Sequence, residues 1–207
     1  MFAYAANNPV KYADPDGRDI EINNDQEKIL TFINKYSYYR YKIDEQNHLV
    51  RDGDKINPGN TSKKYSAVID AAINNHSKTI IIIISDKSIR TFSNGNKIFN
   101  YDVESEGGGG VTSPVSDSLK LIAITGQLSK PILMKNFRMH RYTPEEVLMH
   151  ELVGHAIPML FDLNGGSAIF NENTIRKELG LDERLETYND PVVKFNFNAK
   201  FLFMPNK

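Results

Sequence analysis

The segment from residue 143 to residue 158 constrains the fold of this chain more than any other. Thr143 is followed three residues later by Glu146, with Pro144 between them. Threonine and glutamate at this spacing form a capping box, and proline is well tolerated at the first helical position because the missing N–H has no helical partner there. Apolar residues then recur at helical spacing until Pro158, which discourages the helix from running much further. The segment therefore predicts one well-capped amphipathic helix.

The middle of this helix carries two histidines and a glutamate, namely His150, Glu151 and His155. Histidines four residues apart share one face of an α-helix and can grip one metal ion, whereas a spacing of five separates them by about 140°. A single π-helical turn restores the alignment, and such turns are frequent at functional sites. Gly154 occupies the additional position, which we interpret as accommodation by the backbone. The spacing thus predicts a π-helical turn and a metal site at the same place.

The absence of cysteine limits the groups that could bind such an ion. The 207 residues include no Cys, and Lys+Arg 25 against Asp+Glu 26 give a formal net charge of -1. Without thiolates the metal must bind His, Asp or Glu, and this donor set suits Zn²⁺. The balanced charge argues against nucleic-acid binding, and no apolar run reaches the length of a membrane span. Residues 1–9 have neither the basic start nor the apolar centre of a signal peptide, so we expect the chain to be made in the cytoplasm.

A catalytic zinc ion ordinarily has three protein ligands and one water, so the two histidines need a further partner. Residues 168 to 179 have the pattern of a helix, and Glu172 lies on it, 17 residues after His155. That separation suits a loop and a return helix packed against the first, so we predict Glu172 as the third ligand. Glu178 and Asp162 are the alternatives, and Glu172 could instead be an ordinary exposed carboxylate.

Glu151 is the predicted catalytic residue, because it adjoins a ligand and points in a different direction. It would take a proton from a metal-activated water and pass it to the leaving amine of a peptide bond. The tetrahedral oxyanion also needs a hydrogen-bond donor, and three residues are candidates by type and by closeness in the sequence: Tyr142, His140 and Tyr188. Together these residues predict a zinc-dependent hydrolase.

The string from His150 to His155, H-E-L-V-G-H, resembles the H-E-x-x-G-H zinc motif of the dipeptidyl peptidase III family. In that family both histidines bind zinc and the intervening glutamate acts on the water. The similarity covers six residues, and no substrate specificity follows from it. It implies that a five-residue spacing of histidines can serve a metallopeptidase.

The first 17 residues resemble the end of the core region of Rhs and YD-repeat proteins. They contain Asn-Asn-Pro and, over residues 9 to 17, the P-x-x-x-x-D-P-x-G signature, after which a variable effector domain begins in that family. Arg18 departs from the leucine usual there. The resemblance implies a leader at residues 1–17 and an effector domain at residues 18–207, often a toxin delivered as the tip of a larger protein. Its partners would be a protein or peptide substrate and an immunity protein.

Two further strings resemble the zincin-like effectors found behind Rhs cores. One is H-E-L followed closely by H-A, and the other is the stretch from Glu172 to Leu181, which matches the pattern E-N-x-x-R-x-E-x-G-L. This resemblance implies a zincin-like metallopeptidase. Because the substrate often lies along an edge strand in such folds, we expect the strand at Leu119–Thr125 to serve that purpose.

The rest of the pattern predicts an α+β fold, with a mixed or antiparallel sheet packed on the active-site helix and on the following ligand helix. The β-branched run Ile80–Ile84 predicts a central strand. Residues 192–203 have the alternation of closing strands, and we expect His48 and His76 to lie at the surface. Two other functional classes remain open at this point: a catalytically degenerate binding or vestigial domain, and a nuclease toxin.

Overall fold

The computed structural model describes residues 20–75, 78–85, 88–93, 97–103, 109–161 and 168–185. The Rhs-like leader and the closing strands expected at residues 192–203 lie outside the described residues, and so do His76, Asp162 and Tyr188. The division of the chain after residue 17 therefore stays a prediction.

The described chain contains, in order, β1 (Ile20–Ile22), α1 (Gln26–Tyr36), β2 (Tyr39–Ile43), β3 (Leu49–Ile56), α2 (Lys63–Ile73), β4 (Thr79–Ile84), β5 (Ser88–Ser93), β6 (Lys97–Asp102), β7 (Gly110–Pro114), β8 (Leu119–Ile124), β9 (Pro131–Leu133), β10 (Met139–Arg141), α3 (Pro144–His150), a π-helical segment (Glu151–Ala156), α4 (Ile157–Leu160) and α5 (Ala168–Glu178). α3, the π-helical segment and α4 follow without a break, and we call residues 144–160 the composite helix. The predicted mixture of α and β elements is confirmed.

A four-stranded mixed sheet lies at the centre, in the strand order β1-β4-β8-β7. β1, β4 and β8 run parallel, and β7 runs antiparallel to β8. The run at Ile80–Ile84 is therefore a central strand, as predicted. The expectation that Leu119–Thr125 is an edge strand is wrong, because β8 pairs with a strand on each side. β7 takes the edge of the sheet instead.

Local signals account for where the helices begin and end. Ser62 caps α2, because its side chain accepts a hydrogen bond from the backbone N–H of Tyr65. The capping box predicted for Thr143 and Glu146 is present at the start of α3. Gly180 follows α5 with a φ of 66°, the left-handed conformation that favours glycine after a helix. Among the described helices, none has the length and hydropathy needed to cross a membrane.

One apolar core joins the sheet to the helices. The three parallel strands contribute isoleucines that are completely buried, namely Ile20, Ile22, Ile80, Ile82, Ile122 and Ile124. The composite helix contributes Leu148, Met149, Leu152 and Ala156 to the same cluster, and they are equally inaccessible to solvent. Burying a large aliphatic side chain stabilises a fold by about 1.5–3 kcal/mol. The composite helix is therefore held firmly against the sheet along its apolar face.

His48 is buried, so the expectation that it lies at the surface is wrong. It is 4% exposed, and its Nδ1 lies 3.8 Å from a carboxylate oxygen of Asp44. The cause is an isolated bridge between His48 and Glu21 of β1. This bridge folds the loop between β2 and β3 onto the sheet, an arrangement that the local sequence does not reveal.

Candidate metal site

The composite helix changes from α to π bonding at the histidines. Residues 151–156 are π-helical, and the backbone N–H of Ile157 bonds to the carbonyl of Leu152, five residues earlier. The wider turn brings His155 back toward the face that carries His150. The π-helical turn predicted from the five-residue spacing is therefore confirmed.

Two imidazoles and the carboxylate between them in the sequence come together at this turn. The ring centroids of His150 and His155 are 5.0 Å apart. One ligand atom from each of His150, Glu151 and His155 lies within 4.8 Å of the others, so the group could hold a metal ion. Tetrahedral ligands with bonds of about 2.1 Å to zinc lie about 3.4 Å apart, and this separation falls inside that limit.

Gly154 serves a close approach between helices. A Cβ placed on it would lie 2.9 Å from the Cβ of Ala168, at the start of α5. Its φ is not in the left-handed region. The structure thus gives a more specific reason for this glycine than accommodation by the backbone, because α5 could not pack so tightly against a larger residue. This contact brings α5 alongside the π-helical segment.

Glu172 reaches the site from α5 and contacts His150. Its Oε2 lies 2.8 Å from Nδ1 of His150, and the residue is completely buried, so it is not an exposed helix carboxylate. It does not belong to the group of three that could share an ion. A carboxylate that bonds Nδ1 of a histidine fixes the ring and leaves Nε2 for a metal. The prediction that Glu172 binds the ion directly stays a prediction.

Glu178, an alternative third ligand, makes its hydrogen bonds at the start of α2 and not at the histidines. Its carboxylate accepts hydrogen bonds from the hydroxyl of Ser62 at 2.8 Å and from the backbone N–H groups of Lys63 and Lys64 at 3.0 and 3.3 Å. These groups form the N-terminus of α2, where a negative charge is stabilising. Glu178 therefore ties α5 to α2. Asp162, the other alternative, lies outside the described residues.

A buried arginine connects Glu172 to the start of the composite helix. Arg176 is 1% exposed and lies 3.3 Å from Glu172 and 2.9 Å from Glu146, the capping-box residue. Breaking a buried ion pair from one side is strongly destabilising, because a charge then remains buried without its partner. The network therefore fixes α5 against α3, and with it the carboxylate that contacts His150.

The charges around this network shift the pKa values of the two bonded residues in a consistent way. Burial lowers the pKa of His150, but the charge of Glu172 and the hydrogen bond between them outweigh burial and raise it. Burial raises the pKa of Glu172, yet the charge and hydrogen bond of His150, together with Tyr142 and Arg176, leave its pKa below the ordinary value. Glu172 is therefore held as a carboxylate, the form that accepts a hydrogen bond.

Glu151 is held by the edge strand of the sheet. It is 5% exposed, and the hydroxyl of Thr112 on β7 donates to its Oε2 at 2.7 Å. A Cβ on Gly110 would lie 2.9 Å from Cγ of Glu151 and 2.6 Å from a methyl group of Val147, so β7 passes directly over this side chain. Burial raises the pKa of Glu151, and the charge of His150 and the Thr112 bond offset this only in part.

Two of the three candidate oxyanion donors lie in the described part of the chain. Tyr142 is 1% exposed, and its hydroxyl has no well-formed hydrogen bond with a described residue, although Tyr142 and Glu172 are close enough to shift each other's pKa. His140 is half-exposed, and its Nε2 lies 3.0 Å from Glu146. Tyr188 lies outside the described residues. The role of all three stays a prediction.

Thr112 and Arg176 contact Glu151 and Glu172 but were not identified from the sequence. Each lies in another element and reaches the histidines only through the tertiary fold, so no local spacing links it to the motif. Arg176 alone had a signal, since it is the arginine of the E-N-x-x-R stretch.

Comparison of the chain with protein-family models, with curated proteins and with solved structures finds no match.

Proposed function

We propose that this chain is a metal-dependent peptidase of zincin-like fold, with zinc as its metal. The observation that carries the proposal is the π-helical segment, which gathers His150, Glu151 and His155 into one group. A regular α-helix would separate histidines at this spacing by about 140°. A metal ion bound by both histidines would explain why the helix departs from regular α bonding at this place.

The residues present fit a zinc ion. Two imidazoles with carboxylates nearby are ordinary zinc ligands, and metal-bound histidines usually donate their other ring nitrogen to a carboxylate. Glu172 makes such a contact with Nδ1 of His150. We therefore assign Nε2 of His150 to the metal and Glu172 to the orientation of the ring, which leaves the two histidines as the assigned protein ligands of the ion. Direct binding of the ion by Glu172 is the alternative, and it would supply the third protein ligand.

Glu151 is the proton carrier in this proposal. A bound zinc ion would lower the pKa of a water molecule toward neutrality and polarise a carbonyl group. Glu151 takes the proton of the attacking water and donates it to the nitrogen of the leaving amine, so that the peptide bond breaks and the proton count balances. Thr112 occupies Oε2 of Glu151, which leaves Oε1 for the transfer. The raised pKa of the buried carboxyl suits a group that must hold a proton briefly.

β7 replaces β8 as the proposed substrate strand. It is one of the two edge strands of the mixed sheet, and its residues Gly110 and Thr112 contact Glu151. An extended peptide added along a sheet edge receives main-chain hydrogen bonds, which position it without selecting its side chains. A protein or peptide substrate therefore fits the site better than a nucleic acid. Delivery as the tip of an Rhs-type protein, with an immunity protein as a partner, rests on the resemblance of the leader.

The proposal is tested with a peptide library incubated with zinc-loaded protein and analysed by mass spectrometry. The wild-type protein should cleave a subset of peptides, and Glu151→Gln should cleave none, because the amide cannot carry the proton. A chelator should abolish the wild-type activity, and added zinc should restore it. Cleavage by Glu151→Gln at the wild-type rate, or cleavage that survives removal of the metal, would refute the proposal.

Glu172→Gln separates the two roles open to Glu172. An orienting carboxylate typically contributes 10- to 100-fold to metal affinity, so the variant should still bind about one zinc per chain at higher zinc concentration. If Glu172 binds the ion directly, Glu172→Gln should lose zinc affinity as severely as His155→Ala does. The dissociation constant for zinc, measured by competition with a chromophoric chelator, distinguishes these results.

A further inference from the structure

The carbonyl of Val153 cannot be bonded within the composite helix. In the π-helical segment the N–H of Ile157 bonds to the carbonyl of Leu152. The next carbonyl belongs to Val153, and the fifth residue after it is Pro158, which has no N–H. Its α-helical donor would be Ile157, which is already used. Val153 is 2% exposed, so an unbonded carbonyl here would be costly.

An asparagine on α5 supplies a donor for this carbonyl. Asn171 is completely buried, and its Nδ2 donates to the carbonyl oxygen of Val153 at 3.5 Å. α5 comes this close because Ala168 packs against Gly154. The Oδ1 of Asn171 has no hydrogen-bond partner among the described residues, so the long contact to Val153 is what offsets the burial of this amide, and it is directed at a carbonyl that lacks a helical donor.

Pro158 also opposes the regular α-helix. With α bonding, the N–H of residue 158 would bond to the carbonyl of Gly154. Proline lacks this N–H, and its ring collides with that carbonyl, at a cost of about 3 kcal/mol or more. In the π register the missing bond falls on Val153 instead, where Asn171 replaces it. Proline therefore disfavours one register, and the asparagine stabilises the other.

We propose that Pro158 and Asn171 together select the π register of residues 151–156 and thereby set the distance between His150 and His155. Both are positioning residues, since they act on the backbone and not on the ion. The consequence for metal affinity rests on the proposed function, whereas the consequence for the backbone does not. The tests below therefore measure the two separately.

The first test compares Asn171→Leu in the wild-type and Pro158→Ala backgrounds by urea unfolding of metal-free protein. With proline present, loss of the amide leaves a buried carbonyl without a donor, so the folding equilibrium constant should fall about tenfold. In the Pro158→Ala background the carbonyl of Val153 has a helical donor in either register, namely the N–H of residue 158 with π bonding or the N–H of Ile157 with α bonding, so the same change should cost less than about threefold. Equal costs in the two backgrounds would overturn the proposal.

The second test is the crystal structure of the metal-free double variant, Pro158→Ala with Asn171→Leu. We expect α bonding through residues 151–156, which turns His155 away from His150, and a zinc affinity lower by about 10- to 100-fold. π bonding retained in this variant would overturn the proposal. If wild-type protein binds no zinc, the proposed function fails. The role of Pro158 and Asn171 is then still decided by whether residues 151–156 of the double variant have α or π bonding.

Asn173→Leu is the matched control for both tests. Asn173 is buried on the same helix, but its amide bonds to the backbone of Arg184 and not to the π-helical segment. Its replacement should therefore leave the π register intact and zinc affinity within about threefold of the wild-type value. A loss of the π register in this control would show that any disturbance of α5 has the same effect, which would contradict a specific role for Asn171.

Discussion

Gly154→Ala is expected to destabilise the protein, although alanine is the better helix former. A Cβ at residue 154 would lie 2.9 Å from the Cβ of Ala168, and 3.2 and 3.3 Å from its Cα and carbonyl oxygen. Because these atoms belong to backbone or to a rigid methyl group, one helix must shift. Overpacking of this kind costs about 1–3 kcal/mol, whereas the gain in helix propensity is at most about 1 kcal/mol. We expect a net loss of about 1 kcal/mol in the free energy of unfolding.

The assay is urea unfolding followed by circular dichroism, for Gly154→Ala alone and in an Ala168→Gly background. The second change removes the Cβ that makes the shortest contact but keeps the backbone contacts at 3.2 and 3.3 Å, so Gly154→Ala should there cost less than in the wild-type background. The difference between the two costs isolates the contact of the two Cβ atoms from general effects of each substitution. A stabilising effect of Gly154→Ala alone, or an equal cost in both backgrounds, would refute the close-approach explanation.

Three other substitutions probe the surroundings of the site and the fold. Thr112→Val removes the 2.7 Å hydrogen bond to Glu151, so kcat on a cleaved peptide should fall by about tenfold with zinc content unchanged. Thr112→Ser keeps the hydroxyl and should retain activity. An unchanged kcat in the valine variant would contradict a role of Thr112 in positioning Glu151. Arg176→Met leaves buried carboxylates unpaired and should reduce the free energy of unfolding by about 3–5 kcal/mol, and Glu146→Gln added to it should recover part of the loss in urea titrations. Asp70 lies on α2, and burial raises the pKa of its carboxyl above 3.8, so its contribution to stability is largest below that pH and falls as pH rises. In urea titrations across pH 4–7 the free energy of unfolding should therefore decline less in Asp70→Asn than in the wild type. An identical decline would contradict the raised pKa of Asp70.

The composite helix could be predicted because its signals are local. Thr143, Pro144 and Glu146 define the start of the helix within four residues, and the structure reproduces the capping box. The spacing of His150 and His155 requires a π turn for any shared ligand, because helix geometry fixes the angle between them. These inferences needed no knowledge of the surrounding fold, and both are confirmed.

The surroundings of the helix could not be predicted from the same kind of signal. Which strand lies at the sheet edge depends on the pairing of β7 with β8, so Thr112 gave no sign that it contacts Glu151. The burial of His48 depends on a bridge to Glu21, which lies 27 residues earlier in the sequence. Gly154 was noticed, but the reason for it became visible only with Ala168 in place. Contacts between distant segments are set by packing, which local periodicity does not encode.

The zinc content of purified protein, measured by atomic emission on the wild type and two variants, decides whether His150 and His155 share a metal ion. We expect about one zinc per chain in the wild type and in Glu151→Gln, since that residue carries a proton and does not hold the ion. We expect little or none in His155→Ala, because one imidazole of the shared pair is gone. Absence of zinc from all three proteins after zinc is supplied, or equal zinc in all three, would contradict the metal site.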